Sequence, residues 1–356
     1  MTRNFANRIG YSIDHGMRGG VFNSFSQYIL NKNNKWTGDG NLDFPSAVSP
    51  TTYTPGDGYT YVVLSSSSLF SVLDGTVTID YMIVAGGGCN GTQPETDAVG
   101  GGGAGGFRSG TATVGPGLYI CTVGSGAPAG PGFNRANGSP SAINNSKEFN
   151  ITSSGGGRGA AAKYPTSSIY ADGRPQVEAT SGGSGGGGGA GSSLYGPQLT
   201  GAPGNVPAVE PPQGNPGGDG TSPGNGSGAG GGAGGAGGDA NGGAGGAGGV
   251  GRAYPFSYTA IPTDWGTPGP TASEPPTARW FAGGGGGASD WPGTHSASVT
   301  VGGAGGGGQG DSYDPSNTPN AIAANGQVNT GGGGGGSRSQ VSTGGGSGII
   351  IIRYST

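Results

Sequence analysis

A mainly β and irregular fold is predicted: a small β framework joined to a glycine-rich bundle of polyglycine II helices with long loops. Almost no α-helix is expected apart from one short N-terminal segment. Three observations predict this. Gly supplies 90 of 356 residues, near a quarter where about 7% is usual. Apolar residues make up 31% and charged residues 10%, too little for one large aliphatic core and too little charge for a solvated disordered chain. The glycines also fall in short runs that alternate with aromatic-bearing segments. An ordered body follows, in which backbone packing substitutes for side-chain packing.

The N-terminal part is composed differently. Residues 1–85 hold 9 glycines and residues 86–356 hold 81. Residues 1–75 are therefore read as an attachment domain and 76–356 as the glycine-rich domain. Within the latter, 76–154 and 349–354 are assigned to the β framework and 155–348 to the bundle with its loops. Val21, Phe22, Phe25, Tyr28 and Ile29 recur at helical spacing, which predicts a short amphipathic helix over 20–31. Residues 33–58 are polar with Pro45, Pro50 and Pro55 and read as loop.

Strand signals follow. Tyr61 to Leu64 and Leu69 to Leu73 are short apolar runs. In 76–84, Val77, Ile79, Tyr81 and Ile83 alternate with Thr76, Thr78, Asp80 and Met82, the period of a half-buried strand. Asp74-Gly75 before it suggests a hairpin. Residues 111–114 and 118–123 read as a strand pair around Gly115-Pro116-Gly117. Residues 349–354 read as a terminal strand.

The longest glycine run carries the phase. Residues 231–239 read Gly-Gly-Ala, Gly-Gly-Ala, Gly-Gly-Asp, and 242–250 restart as Gly-Gly-Ala, Gly-Gly-Ala, Gly-Gly-Val. A period of three matches the polyproline II helix, with three residues per turn. Each triad then has two glycine edges and one side-chain edge. Glycine edges admit close neighbours, so N–H groups can bond carbonyls of the next helix and the backbone is satisfied laterally. The two arms are expected to run antiparallel, each about 28 Å long, with the turn at Ala240-Asn241.

Several chemistries are excluded by composition. Formal net charge is −4 with scattered Lys and Arg, which gives no basic surface for nucleic acid. His15 and His295 are the only histidines and Cys89 and Cys121 the only cysteines, so neither a metal site nor a cofactor is expected. The two cysteines read either as buried small hydrophobes or as a disulfide. The N-terminus lacks an apolar secretion segment, which points to synthesis in a cytoplasm. The longest aliphatic stretch, 349–352, is too short to span a bilayer, and no membrane insertion is expected. Gly-x-Gly-x-x-Gly matches recur, as they must in so glycine-rich a chain. They lack the alternating strand and helix context of a nucleotide site.

Residues 81–88, Tyr-Met-Ile-Val-Ala-Gly-Gly-Gly, followed by the run 100–106 and Phe107-Arg108-Ser109-Gly110, resemble the glycine-rich domain of phage tail proteins. Residues 118–126 fit its tyrosine-bearing alternating strand, and 344–354 resemble its closing strand. The resemblance covers about 76–356. It implies a structural virion protein, a tail fibre or adhesin made in the host cytoplasm, attached to other tail or fibre proteins and assembled as a homotrimer. Its loops would bind a host-surface glycan or outer-membrane protein, without catalysis.

The loop aromatics Tyr254, Phe256, Tyr258, Trp265, Trp280, Phe281, Trp291 and Tyr313 are the candidate receptor contacts, because rings give large contact area at low entropic cost. The bland reading is that they cap the bundle as mini-cores. Two alternatives belong to other classes. Bundles of this helix type with a flat Ala/Thr face can bind ice. A glycan depolymerase would need paired carboxylates, for which Asp264, Glu274, Asp290, Asp311 and Asp314 are available, although turn chemistry accounts for Asp264 and Asp314.

Overall fold

Alternating runs and turn residues produce fourteen short strands in the computed structural model, which describes residues 42–43, 51–91, 98–130, 136–145, 149–161, 178–190, 200–222, 226–256, 262, 264–271, 278–289, 300–313, 319–338 and 341–356. The strands are β1 (Leu42–Asp43), β2 (Thr51–Tyr53), β3 (Tyr59–Leu64), β4 (Ser68–Val72), β5 (Val77–Val84), β6 (Phe107–Val114), β7 (Gly117–Thr122), β8 (Ser141–Asn144), β9 (Asn150–Ser153), β10 (Arg252–Ala253), β11 (Trp280–Phe281), β12 (Ser312–Tyr313), β13 (Pro319–Ala321) and β14 (Ile349–Ser355). No α-helix occurs among the described residues. The helix predicted over 20–31 lies outside them.

Two five-stranded antiparallel sheets form a sandwich, one in the order β1-β4-β7-β8-β9 and the other β2-β3-β14-β5-β6. Their facing side chains make one core. Val62, Leu64, Ile79, Ile83, Ile350 and Ile352 come from the second sheet, and Phe70, Val72, Tyr119, Cys121 and Ile143 from the first. Phe70 and Tyr119 sit opposite each other on β4 and β7 and stack at 4.5 Å with planes 5° apart. The terminal strand is central: β14 is bonded to β3 on one side and β5 on the other.

Several sequence expectations are corrected here. Asp74-Gly75 does not close a hairpin, because β4 and β5 lie in different sheets. The turn at 115–117 likewise passes the chain from β6 in one sheet to β7 in the other. Local turn chemistry is the same whether a reversal pairs two strands or changes sheet, so sequence cannot separate them. β5 is half-buried only in its first half, since Met82 and Val84 are buried as fully as Ile83. β1 and β2 fall within the stretch read as loop. The compositional step between 75 and 86 is not a structural one, because β3 and β4 before it are bonded to β14 and β7 after it.

The glycine runs form a bundle whose three-residue phase is visible in its hydrogen bonds. Along 100–106 the acceptor changes at every residue and returns at every third. Gly100, Gly103 and Gly106 donate to Ala160, Gly157 and Ser154, Gly101 and Ala104 to Gly228 and Gly231, and Gly102 and Gly105 to Gly334 and Gly331, all at 2.8 to 3.1 Å. Carbonyls of the same run accept from Gly91, Gly88 and Ala85, from Gly187 and Ser184, and from Gly285. Six neighbouring runs thus surround this one, as a threefold helix demands. Partner numbers that step down mark antiparallel neighbours and those that step up mark parallel ones, so the bundle mixes both.

Close packing requires the missing side chains. A methyl on Gly102 would collide with the carbonyl oxygen of Gly88, and one on Gly103 with that of Ser184. Most triads of the longest run follow the same rule, although Ala233, at the third position of the first, is fully buried. Gly237, Gly246 and Gly249 press on backbone atoms, whereas Ala236, Asp239, Ala247 and Val250 are exposed. The antiparallel arms were expected to turn at Ala240-Asn241. Instead the chain bends at 233–235 and reverses again where Asn241 and Ala244 exchange backbone bonds at 3.0 Å. A run with two equivalent glycine edges carries no local mark of where it must reverse.

Polar side chains replace ladder partners where the runs end. Asn90, fully buried, donates through Nδ2 to the Val341 carbonyl and accepts the Thr343 N–H, both at 3.1 Å. Gln213 Oε1 accepts the Ser154 N–H at 2.8 Å. The Ser227 hydroxyl donates to the Val99 carbonyl at 2.8 Å and accepts the Ala288 N–H at 2.7 Å. The two cysteines are not joined in a disulfide, and both are buried. The Cys89 thiol bonds the Ala136 carbonyl at 3.2 Å, and burial pushes the Cys121 thiol up to about 12.

Candidate functional site

The insert that follows run 245–251 is knitted at its base. β10 and β11 pair antiparallel, with Arg252 opposite Phe281 and Ala253 opposite Trp280. Tyr254 N–H donates to the Arg279 carbonyl at 2.7 Å, and Thr267 and Trp280 exchange backbone bonds at 3.0 and 2.9 Å. Three legs of the insert are thus tied together beside the second sheet.

Its rings close that sheet's outer face. Tyr254, Trp265 and Phe281 are 6%, 7% and 0% exposed and pack with Tyr61, Val63, Met82, Ile349 and Ile351. Trp265 meets Tyr53 edge-on at 5.8 Å, and Tyr254 meets Phe256 edge-on at 5.6 Å. Phe256 and Trp280 are half-buried. Expected as receptor contacts, Tyr254, Trp265 and Phe281 are instead core residues, with no ring face free for a ligand. The physical reason is that the glycine body has little apolar surface, so the sheet's second face must be covered by aromatic residues from an insert. Tyr258 and Trp291 lie outside the described residues, and Tyr313 is placed in β12.

A polar row crosses all five strands at the border of this cluster. The strand registers align Tyr53, Tyr61, Arg353, Asp80 and Thr111. Arg353 Nε donates to Asp80 Oδ2 at 2.8 Å, and the Thr111 hydroxyl donates to Asp80 Oδ1 at 2.5 Å. The guanidinium lies 4.3 Å from the Tyr59 ring centroid and 4.8 Å from that of Phe256, a cation held between two π faces. Burial pulls the Arg353 guanidinium down, but bonds to Asp80 and Tyr61 outweigh it and leave it above its ordinary value. The Tyr61 hydroxyl donates to Asp57 Oδ2 at 2.6 Å. Burial, with that carboxylate beside it, pushes the phenol up to about 12.

The opposite end of the bundle is defined by the hydrogen-bond levels. Gly86 and Gly106 adjoin β5 and β6, and the same pair of runs ends remotely where Gly91 donates to Gly100. Ala160 meets Gly100 and Ala190 meets Ala98 at that far end. Ser337 meets Val99 there, Asn90 meets Thr343 and Ser227 meets Ala288. The methyls of Ala98, Ala190 and Ala288 cluster there. The described residues flanking 92–97, 191–199, 223–225, 290–299 and 339–340 therefore stand at one end, remote from the sandwich. Run 154–161, which leads into 162–177, ends there too. The 254–281 insert stands at the other end. Sequence reasoning singled out the insert richest in aromatics and passed over Tyr164, Tyr170 and Tyr195, which lie outside the described residues.

Of the acids considered for glycan cleavage, two are among the described residues. Asp311 is 1% exposed; its carboxylate accepts the Ser337 hydroxyl at 2.8 Å, the Arg338 N–H at 3.0 Å and the Ala323 N–H, so it ties three segments together. Asp264 is exposed on a turn, and Glu274, Asp290 and Asp314 lie outside the described residues. Among the described residues no group of three or more His, Cys, Asp or Glu is placed to hold a metal ion, and no helix is long and apolar enough to cross a membrane.

A family model described as a glycine-rich domain matches residues 63–355. No curated protein matches the sequence.

Proposed function

The chain belongs to the glycine-rich domain family, and from that premise we propose that it is a structural virion protein of a tailed phage, a tail fibre or adhesin. The observation that carries the reading is the common far end: several sequence-diverse segments start from one end of a bundle held by lateral backbone bonds. Binding residues are commonly displayed this way, on loops positioned by a rigid scaffold. The far-end segments supply the host contacts in this reading, with Tyr164, Tyr170, Tyr195 and Trp291 as the rings that meet a surface glycan or outer-membrane protein. The sandwich and the residues before it face the particle and other tail or fibre proteins. Assembly as a homotrimer is part of the same proposal, and light scattering on the purified chain measures it.

The test replaces 162–177 and 191–199 by short Gly-Ser connections. Particles carrying the variant should assemble normally and label with antibody at the fibre, yet lose adsorption to host cells. Unchanged adsorption would sink the assignment of these segments, and absence of label from particles would sink the virion reading. Deleting 250–282 is not a usable test, because it strips Tyr254, Trp265 and Phe281 from the core.

A further inference from the structure

Asn-Gly pairs begin at positions 90, 137, 225, 241 and 325. An asparagine followed by glycine can be attacked by its own chain. The next backbone nitrogen, uncrowded by a Cβ, reaches the side-chain amide carbon and closes a five-membered ring. The fold decides which pairs react, because that nitrogen must leave its hydrogen-bond acceptor and the amide must turn towards it. Asn225 lies outside the described residues.

Three of the other pairs are locked. Gly91, Gly138 and Gly326 donate their N–H groups to Gly100, Gly156 and Gly344 at 3.1, 2.9 and 2.9 Å. The amide oxygens are held as well. Asn90 Oδ1 accepts the Thr343 N–H at 3.1 Å and Asn325 Oδ1 the Gly344 N–H at 2.8 Å. Asn137 Oδ1 accepts the Arg158 N–H at 3.2 Å and the Thr180 hydroxyl at 2.6 Å. Ring closure at these sites requires the bundle to open locally, and the cost of opening slows the reaction.

Asn241 stands differently. It is exposed and begins a tight reversal, in which Asn241 and Ala244 exchange backbone bonds at 3.0 Å. Gly242 takes a φ of 60°, the left-handed geometry of a two-residue hairpin loop. Its carbonyl accepts the Thr221 hydroxyl at 2.6 Å and the Gly226 N–H at 3.1 Å. These bonds use the Asn241 backbone and the Gly242 carbonyl, not the attacking Gly242 nitrogen.

We propose that Asn241 is a self-modification site, at which the folded protein converts asparagine to isoaspartate and aspartate. The Gly242 nitrogen bonds to Asn241 Cγ as the Cγ–Nδ2 bond breaks. The Gly242 N–H proton leaves with the amide nitrogen as ammonia. Water then opens the cyclic imide at either carbonyl, and each product carries a new carboxylate. In isoaspartate the main chain runs through Cγ and is one atom longer. The two bonds between 241 and 244 then lose their register, and the Gly242 carbonyl loses its hold on 221–226. The site rests on exposure and turn geometry and does not depend on the virion reading.

Incubation of the full chain in mildly alkaline buffer, followed by peptide mass spectrometry, tests it. Asn241 should deamidate at least about tenfold faster than Asn90, Asn137 and Asn325, since each of those must open first. Backbone fragmentation should place isoaspartate at 241. In urea the four rates should converge, because each pair follows alanine or cysteine in the sequence. Amide exchange at Gly226 should quicken in the aged chain and not in aged Asn241→Gln, whose longer side chain closes a ring far more slowly. Deamidation at Asn241 no faster than at Asn325 in the folded chain overturns the proposal. So does a spread of rates that survives in urea, which would assign the selectivity to local sequence. Unchanged exchange at Gly226 after conversion overturns the loosening of 221–226.

Discussion

Arg353 Nε and Asp80 Oδ2 lie 2.8 Å apart in the middle of a five-stranded sheet, joining the closing strand β14 to β5. Their side chains are 10% and 17% exposed, so the pair is largely desolvated. Removing one partner leaves a buried charge. Asp80→Ala is expected to cost about 3 kcal/mol, read as a lower urea midpoint. The double variant Asp80→Leu with Arg353→Met should recover most of that loss, because apolar replacement of a whole buried pair is often neutral. A double variant no more stable than Asp80→Ala would contradict this account.

Tyr61 sets an alkaline limit. Its phenol is neutral when protonated, and its folded value of about 12 stands above the ordinary 10.0. Its contribution is therefore complete below pH 10 and is lost as pH rises from 10 through 12, by up to about 2 kcal/mol. Tyr61→Phe should flatten that part of the curve of unfolding free energy against pH. An unchanged slope above pH 10 in the variant would place the titration elsewhere.

Glycine is needed for space in the bundle's interior and not on the sandwich's turns. Gly102→Ala should cost about 3 kcal/mol or prevent folding, since overpacking here meets backbone that cannot rotate away. Gly115 has open space where a methyl would go, and Gly115→Ala should leave stability unchanged or raise it by about 0.5 kcal/mol through a less flexible unfolded chain. Thermal melts of the two variants decide the matter.

The closing strand is central, so its loss opens the sheet. Deletion of 349–356 separates β3 from β5 and removes Ile349, Ile350, Ile351 and Ile352 from both clusters. The shortened chain should show no cooperative unfolding transition and should be cleaved rapidly by protease. A sharp transition in that chain would show that β3 and β5 find another pairing.

The sequence by itself determined the materials of this protein. The Gly-Gly-x triads at 231–250 dictate a threefold helix, because only such a helix keeps two bare edges in register. They also put Ala236, Asp239, Ala247 and Val250 on one edge, which the structure leaves exposed, while it buries Ala233 of the same phase. The aliphatic run at 349–352 dictates a strand. Tertiary structure alone decided the rest. Every bare glycine edge is chemically alike, so nothing within run 100–106 names its six neighbours or their directions. Reversals at 233–235 and 241–244 occur inside uniform composition and set the end of the bundle at which each later insert stands. That count, together with the demand of β14 and β3 for cover on their second face, puts Tyr254, Trp265 and Phe281 in the core while other described runs end at the far end.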